Sequence, residues 1–269
     1  MTGVPSSPAG AQPTTPVVRA RVVNSRLRVG RFVRPGDAVT LTQHDGTTCG
    51  ATCVLAACLL RGQVPEPVRR AADGPMSGSQ LLVALAEEQR RIQRAMNRRG
   101  LGILPWPQAL GSTPWTLAAA MTRTIADAGA PYTVRQVRDV GPRWPAQVER
   151  LRTHLAAGTP VVLLAGGPLT RPRPGDAGAV RHLRTAVAAV PPIPRHYVLA
   201  LPHDLAGVAD PGEGRAVVYE PSSGTVRILD LLAPRPPRGP GPHELGLWPR
   251  VLAILSPRSS RGRRRLSVG

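Results

Sequence analysis

A cysteine near residue 50 and a histidine much later in the chain are the two side chains whose surroundings best suit chemistry. Cys49 lies in the string QHDGTTCGATC (43–53), in which a polar, turn-forming approach gives way to the apolar body of a helix. The N-terminus of a helix stabilises a thiolate through its unpaired N–H groups and the positive end of its dipole. Gly50 leaves room for backbone or substrate beside the sulfur. The pattern therefore predicts Cys49 as a nucleophile.

His196 is the candidate base for this thiol. It begins the strand-like run HYVLAL, 147 residues after Cys49. A strand holds an imidazole rigidly, as proton transfer over about 3 Å requires. His203 with the adjacent Asp204 is the rival dyad, but it follows the strand instead of opening it and is less constrained.

These motifs resemble those of papain-like cysteine peptidases, and in particular the double-glycine leader peptidases of bacteriocin exporters and related stand-alone domains. In that family a Gln six residues before the Cys, here Gln43, donates its side-chain amide to the oxyanion hole, with the backbone amide of Cys49 as second donor. Glu220, in AVVYEPSSG, stands where the family has an Asp that orients the imidazole. Trp248, in LGLWPRVLAIL, resembles the closing segment of such domains. The resemblance covers roughly residues 38–230, and reaches 257 with the closing strand.

The resemblance implies a hydrolase that cleaves peptide bonds without a metal or cofactor. Cys49 attacks a carbonyl, Gln43 and the Cys49 amide bind the oxyanion, His196 protonates the leaving amine, and Glu220 holds the ring. Water then hydrolyses the thioester, so a peptide or protein is the expected substrate. Glu reaches one methylene further than Asp, which leaves the third role open, and Asp210 is the alternative orienting residue.

Two other functions remain open. The Glu in place of Asp is compatible with a papain-fold domain that has lost turnover and binds peptides. The formal net charge of +19 could mark a nucleic-acid-binding surface, because clustered cations release counterions from phosphate. This is the less favoured alternative. All 35 basic residues are Arg, as GC-rich bacterial coding would give, and the aromatics that stack on single-stranded nucleic acid are few.

The remaining cysteines and polar pairs have simpler interpretations. Cys53 and Cys58 share an apolar helix with Cys49 and are expected to be small core residues. The three cysteines lie within ten residues, which does not suit a disulfide framework and favours reduced thiols. A second ligand pair at zinc spacing is missing, so no metal site is predicted. His44 and Asp45 are interpreted as part of a polar loop before a helix.

Hydrophobic periodicity predicts an α+β fold in which helices come first and an antiparallel sheet follows. The nucleophile helix should pack on that C-terminal sheet, as in the papain-like fold. The predicted helices span 48–60, 79–98, 113–128 and 146–157, and the predicted strands span 132–137, 160–164, 196–201, 216–220, 225–229 and 247–255. Polar or Pro-rich loops are predicted at Gly166–Ala179 and Pro234–Pro242.

One catalytic domain is predicted between two tails. Residues 1–24 are expected to form a disordered N-terminal tail, 25–257 the domain, and 258–269 a basic disordered tail. The N-terminus lacks the positive start and apolar run of a secretory signal. No stretch approaches the roughly 18 uninterrupted apolar residues of a membrane helix. The sequence therefore predicts a cytoplasmic protein without a membrane span.

Overall fold

The computed structural model describes residues 17–34, 36–73, 78–98, 104–125, 130–167, 178, 196–235 and 240–258. Its strands are β1 (Arg19–Val23), β2 (Arg26–Gly30), β3 (Ala38–Thr40), β4 (Tyr132–Gln136), β5 (Val161–Gly166), β6 (His196–Leu201), β7 (Arg215–Glu220), β8 (Thr225–Asp230) and β9 (Arg250–Pro257). Its helices are α1 (Cys49–Leu60), α2 (Glu66–Asp73), α3 (Gly78–Asn97), α4 (Pro114–Thr124), α5 (Trp144–Ala156) and the single turn α6 (His203–Ala206). Two short 3₁₀ helices are Gln108–Leu110 and His243–Leu245.

Within these described ranges, nine strands form one sheet, in which the order of the strands differs from their order along the chain. The order is β1-β2-β8-β7-β6-β5-β9-β4. Strand β3 also pairs with β2 but lies outside this order. Every neighbouring pair is antiparallel. The strands that carry His196 and Glu220, β6 and β7, lie side by side in the middle of the sheet, where neighbours on both sides hold them in place.

Helices cover both faces of this sheet. Alternate residues of a strand point to opposite faces, and β6 divides accordingly between two apolar clusters. Tyr197 and Leu199 pack with the helices α1, α3 and α4, while Val198 and Ala200 pack with α5. A continuous apolar strand buried on both faces is the result, which explains why HYVLAL shows no polar alternation.

Helix α1 is apolar all round and is buried almost along its whole length. A helix of this composition belongs in a core, because it has no polar face for water. It contacts α3 and α4 on one side and β6 on the other. Gly50 packs closely against the sheet, since a Cβ at this position would lie 3.2 Å from the Tyr197 ring. The helix ends at Leu60, and Gly62, two residues later, has a positive φ of 76° that suits glycine.

The α+β class is confirmed, but the expected order of elements is wrong. Strands β1 to β3 precede the first helix and extend the sheet at the β8 side. The boundary at residue 24 is also wrong, because Arg19–Val23 pairs with Arg26–Gly30 along its whole length. Val18 and the partly buried Ala20 and Val22 pack on the main core and provide the burial that makes this segment fold.

Most other elements match their predictions within a few residues. Helix α4 is shorter than predicted, and α2 was not predicted. Residues 1–16 and 259–269 of the predicted tails, and most of the predicted loop at 166–179, lie outside the described residues. In the part of the chain that is described, every helix is too short or too polar to cross a lipid bilayer.

Candidate functional site

The N-terminus of α1 meets the ends of β6 and β7. Since β6 and β7 run antiparallel, the first residue of one and the last residue of the other lie at the same end of the sheet. These residues are His196 and Glu220, and Cys49 is the first residue of the helix that packs there. The structure therefore brings together the three side chains that the sequence had separated by 171 residues.

His196 and Glu220 form a buried hydrogen-bonded pair. The imidazole Nε2 lies 2.7 Å from Glu220 Oε1, and the two residues are only 6% and 2% exposed. The carboxylate is also fixed from its other side. It accepts hydrogen bonds from the backbone N–H groups of Ser222 (2.7 Å) and Ser223 (2.8 Å) and from the Ser223 hydroxyl (2.6 Å). The carboxylate of the longer Glu side chain thus still reaches the ring, and the turn that contains Ser222 and Ser223 holds this carboxylate in place.

These contacts set the charge state of both groups. Burial raises the pKa of Glu220, but the hydrogen bonds from His196, Ser223 and Ser222 outweigh it and lower the pKa to about 2. Burial lowers the pKa of His196, but hydrogen bonds to Cys49 and Glu220, together with their charges, raise it to about 9. The imidazole is therefore protonated at neutral pH when it stands between thiolate and carboxylate.

The Cys49 side chain is the other group that raises the pKa of the imidazole, through a hydrogen bond and through its charge. Because Nε2 is directed at Glu220, Nδ1 is the nitrogen left for the sulfur. The first intrahelical hydrogen bond of α1 runs from Thr52 N–H to the Thr48 carbonyl at 2.8 Å. The N–H groups of Cys49 and its next two residues precede that bond, so they belong to the unpaired first turn that favours an anion.

Gln43 lies in the loop that leads into this helix. Its backbone N–H donates to the carbonyl of Pro221 (2.8 Å), the residue directly after Glu220. Its side-chain Oε1 is buried and has no hydrogen-bond partner among the described residues. An unpaired buried amide oxygen costs about 1–3 kcal/mol. Hydrogen bonds of this oxygen among the described residues therefore do not account for the position of the side chain.

Two buried tyrosines hold the loops on either side of the nucleophile. Tyr197, next to His196, donates its hydroxyl to the Ser112 carbonyl at 2.8 Å. Tyr219, next to Glu220, donates to the Leu41 carbonyl at 2.9 Å. Each strand therefore presents one functional side chain at its end, and beside it a tyrosine that reaches through the core to a neighbouring loop.

Gly246 packs against the imidazole from the side opposite the sheet. A Cβ on this residue would stand 2.6 Å from Cδ2 and 2.8 Å from Nε2 of His196. Gly246 also has a positive φ of 62° and ends the 3₁₀ helix His243–Leu245. Only glycine lets the backbone come this close to the ring in this conformation.

No significant match came from the comparisons with family models, curated proteins and solved structures. The case for a function therefore depends on this geometry.

The rival histidine and carboxylate lie elsewhere. His203 Nδ1 is 3.1 Å from Asp204 Oδ1, but the Asp204 side chain is 87% exposed and the pair lies at α6, after the opposite end of β6. Asp210 accepts hydrogen bonds from Arg152 (3.2 Å) and from the Gly212 N–H (3.0 Å). Of the two carboxylates considered for His196, it is Glu220 that the structure places at the ring.

The surroundings of Asp45, Cys53 and Cys58 suit a structural role for these residues. Asp45 accepts hydrogen bonds from the N–H (2.8 Å) and hydroxyl (2.7 Å) of Thr47 and so closes the turn before α1. The Cys53 thiol is fully buried and contacts the Tyr197 carbonyl at 3.5 Å. Burial raises the pKa of both Cys53 and Cys58. The described residues contain no group of three His, Cys, Asp or Glu side chains that could hold a metal ion.

Several supporting residues were not found from the sequence. Tyr197 and Tyr219 are each the sequence neighbour of a predicted site residue on a strand, and this shared position could have indicated a supporting role. Gly246 carried no local signal, because its role comes from a contact with a residue 50 positions earlier.

Asp139 fixes both ends of the segment that carries Gly246. Its Oδ2 accepts hydrogen bonds from Arg235 (2.7 Å), before the segment, and from the Val251 N–H (2.9 Å), after it. The Asp139 and Arg235 side chains are only 3% and 7% exposed. Arg250 also approaches the carboxylate, at 3.7 Å.

Removing this carboxylate should destabilise the fold. In Asp139→Ala the buried Arg235 guanidinium loses its partner, so we expect the free energy of unfolding to fall by about 3–5 kcal/mol. Denaturant unfolding measures the loss. A matched control is Asp210→Ala, which removes the more exposed pair with Arg152 and should cost much less stability. Equal losses in the two variants would contradict the role given to Asp139.

Proposed function

We propose that this protein is a cysteine-type acyl hydrolase, a papain-like peptidase in which Cys49 is the nucleophile. The observation that carries the proposal is the continuous series Cys49, His196, Glu220, in which one imidazole contacts a thiol at a helix N-terminus and a buried carboxylate. An imidazole has two ring nitrogens, which act as one donor and one acceptor in the neutral form and as two donors in the charged form. A histidine with a thiol on one nitrogen and a pinned carboxylate on the other is arranged for proton transfer.

The proposed reaction starts from the thiolate and the imidazolium. The sulfur electron pair attacks the carbonyl carbon of the substrate, and the carbonyl π electrons move to oxygen. That oxyanion is bound by the Cys49 N–H and the Gln43 side-chain amide. As the intermediate collapses, the bond to the leaving amine breaks and His196 gives it a proton. The neutral imidazole then takes a proton from water, the hydroxide attacks the thioester carbonyl, and cleavage of the C–S bond releases the acid and restores the thiolate and the imidazolium.

The thiol itself provides the first test, with iodoacetamide as probe. At neutral pH and limiting reagent, we expect Cys49 to be alkylated at least about tenfold faster than Cys58, because only Cys49 has a helix N-terminus and an imidazolium beside it. His196→Ala should remove most of this difference, and Cys49→Ala should abolish the fast labelling. Mass spectrometry of the digested protein gives the rate at each cysteine.

Acyl transfer is tested separately with p-nitrophenyl acetate. The wild type should release one equivalent of nitrophenolate per protein in a burst as Cys49 is acetylated, followed by slower turnover. Cys49→Ala should show no burst. A wild type in which Cys49 and Cys58 are alkylated equally fast and no burst occurs would rule out the proposed enzyme.

A further inference from the structure

A buried glutamine on α3 lies behind the loop that carries Gln43. Gln89 is only 1% exposed, although its neighbours on the helix, Glu87 and Arg90, belong to the polar side. A buried carboxamide is stable only when its donors and acceptor are paired. The partners that satisfy Gln89 are not on its own helix.

Its amide group holds the two peptide groups on either side of the Gln43 Cα. Nε2 donates to the Thr42 carbonyl at 2.9 Å, and Oε1 accepts from the His44 N–H at 2.7 Å. Fixing both peptide planes fixes φ and ψ of the residue between them, and so the direction of its Cα–Cβ bond. The position of the Gln43 side chain therefore depends on Gln89.

The same carboxamide also contacts the nucleophile helix. The hydroxyl of Thr52 lies 2.9 Å from Gln89 Oε1 and 2.8 Å from the Thr48 carbonyl, so its single proton is shared between them. Thr52 is one turn after the helix start, directly below Cys49. One side chain thus connects the helix of the nucleophile to the loop of Gln43.

We propose that Gln89 is a positioning residue for the oxyanion hole, which sets where the Gln43 amide stands relative to the Cys49 sulfur. The inference rests on the proposed acyl hydrolase function. An oxyanion donor acts only when it points at the position that the developing O⁻ will occupy, and a displacement near 1 Å costs about a hundredfold in rate. Gln89 acts through Gln43 and touches no substrate.

Two probes separate this role from a general loss of structure. Acetylation by p-nitrophenyl acetate passes through an oxyanion, whereas alkylation by iodoacetamide does not. In Gln89→Met, which keeps the volume and removes the hydrogen bonds, we expect the acetylation burst to slow about 10- to 100-fold. The alkylation rate of Cys49 should stay within about twofold of the wild type. Equal slowing of both reactions, or slowing of neither, would overturn the proposal.

A double-mutant cycle tests whether Gln89 works through Gln43. In a Gln43→Ala background, Gln89→Met should slow acetylation no further, since the donor it positions is gone. Gln93→Met is the matched control. Gln93 is a buried glutamine one turn further along α3 that donates to Thr47 and not to the peptides flanking Gln43. It should slow acetylation less than Gln89→Met. Independent, multiplicative effects of the Gln43 and Gln89 changes would contradict the proposed mechanism.

The remaining outcomes are also decisive. Should the wild type not acetylate at all, the hydrolase function fails, and hydrogen exchange of the His44 amide then decides the role of Gln89. Exchange should accelerate in Gln89→Met, and unchanged protection would overturn the positioning role. Should Gln89→Met fail to fold, Gln89→Glu replaces it. This variant keeps the acceptor for the His44 N–H, loses the donor to the Thr42 carbonyl, and should show an intermediate slowing of acetylation.

Discussion

Glu220→Gln should slow acylation of Cys49 about a thousandfold or more, comparable to the loss when the orienting carboxylate of a Ser-His-Asp triad becomes an amide. The N–H and hydroxyl groups of Ser223, which donate to Glu220 Oε2, would keep the amide oxygen of Gln at that position. Its NH₂ group would then face Nε2 of His196. That arrangement favours the tautomer with the proton on Nδ1, which is directed at the thiol and cannot accept its proton.

The pH profile of Glu220→Gln should change as well. His196 must be protonated to serve the leaving group, so the wild-type rate should fall as pH rises through about 9, the raised pKa of this imidazole. In the variant the carboxylate no longer stabilises the imidazolium. The alkaline limb of the profile should therefore move to lower pH, by about 1–2 units. Acylation rates with a p-nitroanilide substrate, whose leaving amine needs the proton, measure both effects between pH 5 and 10.

Glu220→Asp is the control for charge. It keeps the carboxylate but shortens the reach by one methylene, so it should lose less activity than Glu220→Gln and keep its alkaline limb near that of the wild type. If instead Gln at position 220 leaves both the rate and the profile unaltered, the carboxylate has no part in the chemistry.

Gly246→Ala should slow acylation about a hundredfold through a single added methyl group. That methyl would stand 2.6 Å from the His196 ring, closer than any real contact, so the ring or the segment that carries Gly246 must move. The ring is fixed at both nitrogens, by Cys49 and by Glu220. A shift that relieves the collision therefore breaks one of these alignments, and misplacement of about 1 Å is worth about a hundredfold in rate.

Gly207→Ala supplies a matched control for the backbone. Gly207 has a φ of 65°, close to the 62° of Gly246, and likewise ends a short helix, but a Cβ there meets nothing within 4 Å. Both substitutions impose about 1–2 kcal/mol of left-handed strain. Only Gly246→Ala should lose activity, whereas Gly207→Ala should show in thermal unfolding the stability loss that left-handed strain causes without a collision. Loss of activity in both, or in neither, would show that contact with the ring is unimportant.

Local signals in the sequence were enough to predict the elements that carry the candidate site. The apolar run after Cys49 ends at a glycine, and the runs around His196 and Glu220 are bounded by Pro, Asp and Gly, so α1, β6 and β7 were located within one residue at each end. Such boundaries are readable because they depend on backbone conformation at single residues.

The first hairpin was missed although it has a signal. In RARVVNSRLRVG Arg alternates with apolar residues at 19–22 and again at 26–29, and Asn24 and Ser25 both have positive φ, as a two-residue type I′ turn requires. The alternation was hidden by the general abundance of Arg, which made the segment resemble a tail.

The residues that support the site could not be predicted, because their roles depend on contacts with residues that are far away in the sequence. The amphipathic pattern of 79–98 predicts Glu88 on the polar side of α3, yet Glu88 is only 2% exposed, with Arg91 bound to its carboxylate at 2.6 and 2.7 Å. Gln89, Gln93 and Asn97 are buried as well. Their common face is explained only by the loops that they bind, and the position of those loops follows from the whole sheet.

The turn after β7 has a consequence for transplanting this site into another protein. Glu220 binds the imidazole of His196, and the carbonyl of the next residue, Pro221, accepts a hydrogen bond from the Gln43 N–H, so the proposed base and the proposed oxyanion donor are attached to the same turn. When thermal motion displaces this turn, both groups travel in the same direction and their separation is conserved. Residues 220–224 must therefore be grafted as one unit, together with the loop that begins at Leu41.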